Sequence, residues 1–333
     1  MAEAWPSDSA GRTSLQATTE RTHDNTYRFP QRHHTSGKSH TANRQIRFAH
    51  PAEAVVAELL GSFGVRWLYE PVTFPLITSA TGEPVQCFTP DFFLPDHDVY
   101  IEMTTMRQSL VTRKNRKFRL MREIYPHVDV RLLYRKDVEL IVDRYGIGEP
   151  ADLQPGPVFA TSDQIAHKAA EIATQLTIGA GPITLIALGD GAVRFRDTVA
   201  AALVGKGAQV STVLAQVKRS RISAPDGCLE VRLNDVDELN ASRRILLADV
   251  VSTGLTVNAA LGWFRSAGLP IEGVAAQLDR RSARLIDVPL LAPGLPAPSS
   301  WMVGAGLGGR NWARRDNIHC LIRPEQSAVA TVL

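Results

Sequence analysis

Ser252, Thr253, Gly254 and Thr256 set three hydroxyls and a glycine within five positions, just after the apolar stretch Ile245-Leu246-Leu247-Ala248 and the acid Asp249. That grouping suits anion binding. Hydroxyls and main-chain N–H groups of small residues can converge on one phosphate, and a glycine permits the tight bend that brings them together. The apolar stretch before it reads as a strand buried on both faces, the usual condition in a parallel sheet, with Asp249 near its carboxyl end. A helix is expected from Leu255 to Ala267, closed by Gly268, and its positive N-terminal end would favour the same anion.

The run from Arg243 to Thr256 resembles the phosphoribosyl-pyrophosphate loop of type I phosphoribosyltransferases, where an apolar strand leads to two acids, two aliphatics and then Asp-Thr-Gly-x-Thr. The resemblance implies that Ser252, Thr253, Gly254, Leu255 and Thr256 surround the 5-phosphate and that Asp249 meets the ribose hydroxyls. Two positions depart from the pattern. Ala248 stands for the first acid, and Ser252 for the aspartate that serves the family as general base. Upstream, Asp190, Gly191 and Ala192 follow the apolar strand expected at Pro182 to Leu188, at the place of the family's pyrophosphate loop. The C-terminal segment resembles the end of hypoxanthine-guanine phosphoribosyltransferases. There Trp301, before Met302, Val303 and Gly304, matches the aromatic that stacks on a purine, and Arg314 the arginine that contacts pyrophosphate. The family's purine-reading lysine falls at Asp279, and the acid of its second magnesium near Gly308.

Stepping outward, apolar periodicity predicts a helix from Ser162 to Leu176 and strands at Ala208 to Val217 and Val274 to Leu278. Gly148 to Val158 carries Pro150, Pro155 and Pro157 and reads as a linker. Before it, the pattern gives a helix from Glu53 to Phe63, then strands at Arg66 to Phe74, Val85 to Leu94 and Val99 to Met103. A basic helix follows from Ser109 to Ile124, then a strand from Val128 to Tyr134 and a helix from Val138 to Tyr145.

That order, with Glu53 on the first helix, Thr89-Pro90-Asp91-Phe92 on one strand and Tyr100-Ile101-Glu102 on the next, resembles the PD-(D/E)xK nuclease superfamily. The resemblance implies that Asp91 and Glu102 hold a divalent metal with support from Glu53. The family's lysine would stand at Thr104, and Lys114 or Lys117 on the following helix are the candidates to replace it. Arg107, Arg113, Arg116, Arg119 and Arg122 on and before that helix would suit a phosphate backbone, although a basic helix face is most often simply solvated.

A chain of 333 residues is long enough for two cores, and a net charge of only +3 imposes no global attraction to polyanions. Cys87, Cys228 and Cys320 lack metal-ligand spacing and read as reduced thiols. No apolar run suits a membrane span, and the first residues lack an apolar signal core, so a cytoplasmic location is expected. The sequence thus predicts an α/β protein in two domains. A disordered tail over 1–45 precedes a restriction-endonuclease-like domain over 46–147, and a linker over 148–159 leads to a Rossmann-like, parallel-sheet phosphoribosyltransferase-type domain over 160–323, with a short tail to 333. The expected activity is transfer or binding of a 5-phosphoribosyl group with a 6-oxopurine and pyrophosphate, with one Mg2+ in each domain. The alternative is a metal-dependent nuclease or nucleic-acid-binding protein gated by a non-catalytic nucleotide-sensing domain. The partners are therefore phosphoribosyl pyrophosphate or a purine nucleotide, nucleic acid at the N-terminal domain, and a second copy in a homo-oligomer.

Overall fold

The computed structural model describes residues 26–27, 46–104, 108–144, 153–177, 181–219, 229–234, 239, 243–308 and 312–322. The tail expected over 1–45 lies outside them except for Thr26–Tyr27, a two-residue strand β1. Among the described residues no helix is long and apolar enough to cross a membrane.

The N-terminal unit begins with α1 (Pro51–Ser62), started by a proline at its first position and capped by the His50 side chain, which accepts the Ala52 N–H. Four strands follow as β2 (Leu68–Tyr69), β3 (Phe74–Thr78), β4 (Pro84–Phe88) and β5 (Phe92–Leu94), then β6 (Val99–Thr104). The basic helix α2 (Gln108–Ile124) crosses over to β7 (Asp129–Tyr134), which leads straight into α3 (Arg135–Arg144). Strands β2, β5, β6 and β7 form one sheet in that order, and β3 and β4 a separate hairpin. The expected single strand from Val85 to Leu94 is thus two strands in different sheets. Pro90 cannot donate to a ladder, and the chain changes sheets at Thr89-Pro90-Asp91. The expected strand from Arg66 to Phe74 is likewise split between β2 and β3, with Pro71 in the gap.

The second unit opens with β8 (Gln154–Ala160). Pro155 and Pro157, which suggest a linker, fall in an edge strand that tolerates them, since among the described residues β8 pairs only with β17 (Ile318–Ile322). Helix α4 (Ser162–Leu176) spans the residues the periodicity predicts, and its N-cap is Thr161. Thr161 and Gln164 form a reciprocal capping box, which satisfies two otherwise orphaned N–H groups. Next come β9 (Ile183–Leu188), α5 (Val193–Val204), β10 (Val210–Arg219), β11 (Leu229–Leu233) and β12 (Arg243–Val251). They are followed by α6 (Leu255–Ser266), β13 (Gly273–Asp279), β14 (Leu290–Ala292), β15 (Leu295–Pro296) and β16 (Met302–Val303).

The large sheet runs β1-β11-β10-β9-β12-β13-β14, with β15 also on β13. Strands β10, β9, β12, β13 and β14 are mutually parallel. Alternate residues of the central strands feed two cores. Leu246 and Ala248 meet Val257, Ala260 and Phe264 of α6, while Ile245 and Leu247 meet the side of α4 and α5 through Ile172, Phe195 and Val199. With helices on both faces, β9 and β13 are buried at every position, as a continuous apolar run predicts. The protein is therefore mixed α/β with a parallel sheet in its C-terminal half.

Candidate functional site

Strand β9 lies beside β12, yet the chain leaves them in opposite directions across the sheet. From β9 it passes through α5 to β10, and from β12 through α6 to β13. A crevice must open where the two crossovers diverge, at the carboxyl ends of β9 and β12. A cleft of about 360 Å3 occupies that place. Its lining joins Gly189, Asp190 and Gly191 from the first loop to Asp249, Ser252 and Thr253 from the second, with Gly254 and Thr256 also on the wall.

The two loops approach closely. A Cβ built on Gly191 would stand 2.4 Å from Asp249 Oδ2, so no larger residue fits there without displacing the carboxylate. Asp249 Oδ1 accepts the Val250 N–H at 2.7 Å. Gly254 is left-handed at φ 86° and, as the N-cap of α6, has no side chain with which to cap it, so first-turn N–H groups face the loop. Thr253 Oγ1 accepts the Leu255 N–H at 3.3 Å. Ser252 is 6% exposed, and its Oγ has no hydrogen-bond partner among the described residues. An unpaired buried hydroxyl costs free energy, so this one is suited to a bound group.

Other residues expected at this site lie elsewhere. Ala192 is buried in the 3-10 turn Asp190–Ala192 and does not line the cleft. The Leu255 side chain is fully buried among residues of the N-terminal unit, which leaves only its main chain for the site. Trp301 and Val303 are not on the cleft wall. Trp301 is half-buried with its carbonyl taken by the Leu321 N–H, and Val303 packs in the small β16-β17-β8 sheet. Arg314 is exposed in the turn after Trp312 and is not among the residues that line the cleft. Arg194 instead connects this C-terminal segment to the start of α5, just after the first loop, donating to the Arg315 carbonyl at 2.9 Å and to Asp316 Oδ1 at 2.5 Å. Asp279, where the family has its lysine, is buried with one oxygen on Arg284 and the other on Arg281. Gly308 has φ 84° and abuts Val303, a turn position with no donor for a metal.

A second cluster lies in the N-terminal unit. Phe92 pairs with Ile101 in antiparallel register, which sets Asp91 alongside Glu102. Asp91 Oδ2 accepts the Met103 N–H at 2.6 Å, and Lys114 Nζ reaches Glu102 Oε1 at 2.5 Å and the Met103 carbonyl at 2.6 Å. Burial pushes the Asp91 carboxyl up to about 6, against the pull of the Met103 N–H and Lys114. Glu102, 2% exposed, is pushed up to about 7 by burial and by the neighbouring Asp91 charge, and the Lys114 ammonium only partly offsets this. Glu102 Oε2 and Thr104 Oγ1 are buried without a partner among the described residues. Glu53 is spent differently. Its Oε2 accepts the Ala49 N–H at 3.0 Å and the Tyr69 hydroxyl at 2.8 Å, anchoring the start of α1. Lys117 also turns away, to the Cys87 carbonyl at 3.0 Å, because three residues of helix rotate it toward β4. Arg107 and the Arg113 side chain lie outside the described residues. Arg116 and Arg119 are exposed, and Arg122 lies over the Phe118 ring at 5.7 Å.

The metals implied by the resemblances meet different conditions in the two places. Among the described residues no three His, Cys, Asp or Glu side chains gather. In the cleft, Asp190 and Asp249 are the two carboxylates on the wall, Asp249 has one oxygen engaged and Ala248 offers none, so these residues do not build a cation site by themselves. In the N-terminal unit, two adjoining carboxylates with one unpartnered buried oxygen fit a single divalent cation completed by water.

No family model and no curated protein matches the chain. Among solved structures, the chain is similar to a hypoxanthine phosphoribosyl transferase from Trypanosoma cruzi at 18% identity and TM-score 0.46, over 56% of this chain and 100% of that one. It is similar to a hypoxanthine phosphoribosyltransferase from Staphylococcus aureus at 18% identity and TM-score 0.44, over 52% and 94% of the two chains. A hypoxanthine-guanine phosphoribosyltransferase from Bacillus anthracis str. 'Ames Ancestor' gives 18% identity and TM-score 0.42, over 51% and 99%. Overlaps this loose leave the reading of the site to its own residues.

Proposed function

We propose that the C-terminal unit is phosphoribosyltransferase-like and that its cleft binds a 5-phosphoribosyl ligand. The observation that carries this reading is the meeting of the Gly189–Gly191 turn and the Ser252–Thr256 loop in one cleft at the divergence of the sheet. Thr253, Gly254 and Thr256 take the 5-phosphate beside the N-terminal end of α6, with Ser252 Oγ as a further donor. Asp249 takes ribose hydroxyls, and the Asp190-Gly191 turn takes a pyrophosphate. Binding is better supported than transfer. Ser252 is a poor base, and Trp301 and Val303, expected to hold a 6-oxopurine, are not among the residues that line the cleft.

Calorimetry with ribose 5-phosphate and phosphoribosyl pyrophosphate, beside a turnover assay with Mg2+ and hypoxanthine or guanine, tests the reading. Binding with little turnover is expected, and no binding at millimolar ligand sinks it. Thr253→Asp should weaken ribose 5-phosphate by on the order of 100-fold or more, since a like charge about 4 Å from the phosphate costs a few kcal/mol even at an effective dielectric near 20. Ser252→Asp restores the family's acid at a buried position, where a raised pKa favours proton abstraction. It should raise any purine turnover by part of the roughly 10²-fold to 10⁴-fold of a positioned base. A flat rate with intact binding would show that the missing base is not what limits transfer.

A second reading rests on Asp91, Glu102 and Lys114, which form a buried carboxylate pair with a lysine drawn from α2 in place of Thr104. We propose that Asp91 and Glu102 hold one divalent cation of the nuclease kind. Such a cation supplies Lewis-acid charge to a phosphoryl oxygen. Lys114 positions Glu102 and the Met103 carbonyl, and the exposed Arg116 and Arg119 add positive charge on the same helix for a nucleic-acid backbone.

A further inference from the structure

The phosphate loop is held from behind by a segment that no local pattern marks. Arg284, 8% exposed, donates from Nε to the Ser252 carbonyl at 2.7 Å and from Nη2 to the Val251 carbonyl at 3.1 Å, and its charge is balanced by the buried Asp279. The next two residues continue the contact. Leu285 N–H and Ile286 N–H both donate to the Thr253 carbonyl, at 3.0 and 3.1 Å. Three successive loop carbonyls are thus drawn to one side. In a planar trans peptide the N–H points opposite to its C=O, so the N–H groups of Ser252, Thr253 and Gly254 are turned away from this segment. Those three residues line the cleft.

The same segment is rooted in the other unit. Leu285 and Ile286 are fully buried in one core with Leu59, Phe92, Ile101 and Met103, and Leu255, the first residue of α6, joins them there. Phe92 follows Asp91, and Ile101 and Met103 flank Glu102. Two polar ties run beside this core, Arg131 Nη2 to Asp287 Oδ2 at 2.6 Å and the Ser299 hydroxyl to Asp137.

We infer that Arg284–Ile286 is a positioning strap that sets the loop amides for anion binding and ties their order to the carboxylate-bearing strands of the N-terminal unit. The inference rests on the phosphate reading of the cleft. A ligand that fixes Ser252 to Gly254 favours the docked strap, and the docked strap completes the core beneath β5 and β6. By linkage, ligand and N-terminal order stabilise each other.

Hydrogen exchange on the full chain, with and without saturating ribose 5-phosphate, tests it. Exchange should slow in three places: the loop at Ser252–Thr256, the strap, and the distant strands Phe92–Leu94 and Val99–Thr104. Arg284→Gln should lower ribose 5-phosphate affinity by about tenfold or more and abolish the slowing in β5 and β6, while Arg284→Lys, which can still reach a carbonyl, should recover part of both. Slowing confined to the C-terminal unit, or unchanged affinity in Arg284→Gln, overturns the strap and leaves the phosphate reading standing. If calorimetry finds no ribose 5-phosphate binding to the wild type, both fall.

Discussion

Replacing Gly254 by alanine is expected to lower the unfolding free energy by about 3 kcal/mol or more and to remove anion binding from the cleft. Two costs add at this position. Its φ of 86° is left-handed, which costs an L residue roughly 1–2 kcal/mol. The new Cβ would also stand 2.3 Å from the Ile286 carbonyl oxygen and 3.1 Å from Ile286 Cγ1. Backbone in a filled core cannot yield as the tip of an exposed side chain can, so the loop or the strap must move. Gly268 supplies the control. It has φ 73° at the end of α6, but a Cβ there meets nothing within 4 Å. Gly268→Ala should therefore show the conformational cost alone, about 1–2 kcal/mol. Urea midpoints at unchanged slope measure both. Equal losses in the two variants would mean that the Gly254–Ile286 contact contributes nothing.

What the sequence revealed and what it concealed divide by range. The phosphate loop could be read because its parts are consecutive: a strand buried on both faces, an acid, small residues and a helix start. Helix α2 and strand β6 were legible for the same reason, and the crossover between β6 and β7 followed from a helix set between two strands. The strap was not legible. Its function depends on Gly254 meeting Ile286, and on Leu285 meeting Phe92 from far along the chain, and no local periodicity records such pairs. Lys114 shows an intermediate case. Helical spacing placed Lys114 and Lys117 near one side of α2, but a rotation of three residues sends one to Glu102 and the other to Cys87, and only the packing of α2 on the hairpin decides which. Trp301, Val303 and Arg314 rested on the resemblance of a short C-terminal segment, an aromatic before Val303-Gly304 and an arginine farther on. A short motif fixes no position in space: Val303 lies in β16, Trp301 just before it and Arg314 in the turn after Trp312, and none of the three is among the residues that line the cleft. Pro155 and Pro157 misled because proline signals a linker or an edge strand equally well.

Divalent cations are expected to reshape the pH dependence of stability through Asp91 and Glu102. The folded-state values are about 6 and about 7, against ordinary values of 3.8 and 4.5. Between the ordinary and the raised values the folded chain holds more protons than the unfolded chain. The contribution of these groups is thus most favourable below about pH 4, and it is lost as pH rises through 6 and 7. At roughly 1.4 kcal/mol per pKa unit, the loss is on the order of a few kcal/mol by pH 8. A cation held between the two carboxylates replaces the protons and neutralises the buried pair, so millimolar Mn2+ should raise the melting temperature at pH 7.5 by several degrees and much less at pH 5. Asp91→Asn should abolish the cation effect and reduce the fall between pH 5 and 8, because the asparagine carbonyl still accepts the Met103 N–H but carries no proton to lose, which leaves only the share of Glu102, raised by burial. Lys114→Ala should spare cation binding while losing any Mn2+-dependent cleavage of DNA or RNA. A wild-type profile that is flat over this range would show that the two carboxylates do not titrate as buried neighbours. A steep profile untouched by Mn2+ would leave them as a structural pair, with α2 binding nucleic acid by charge alone.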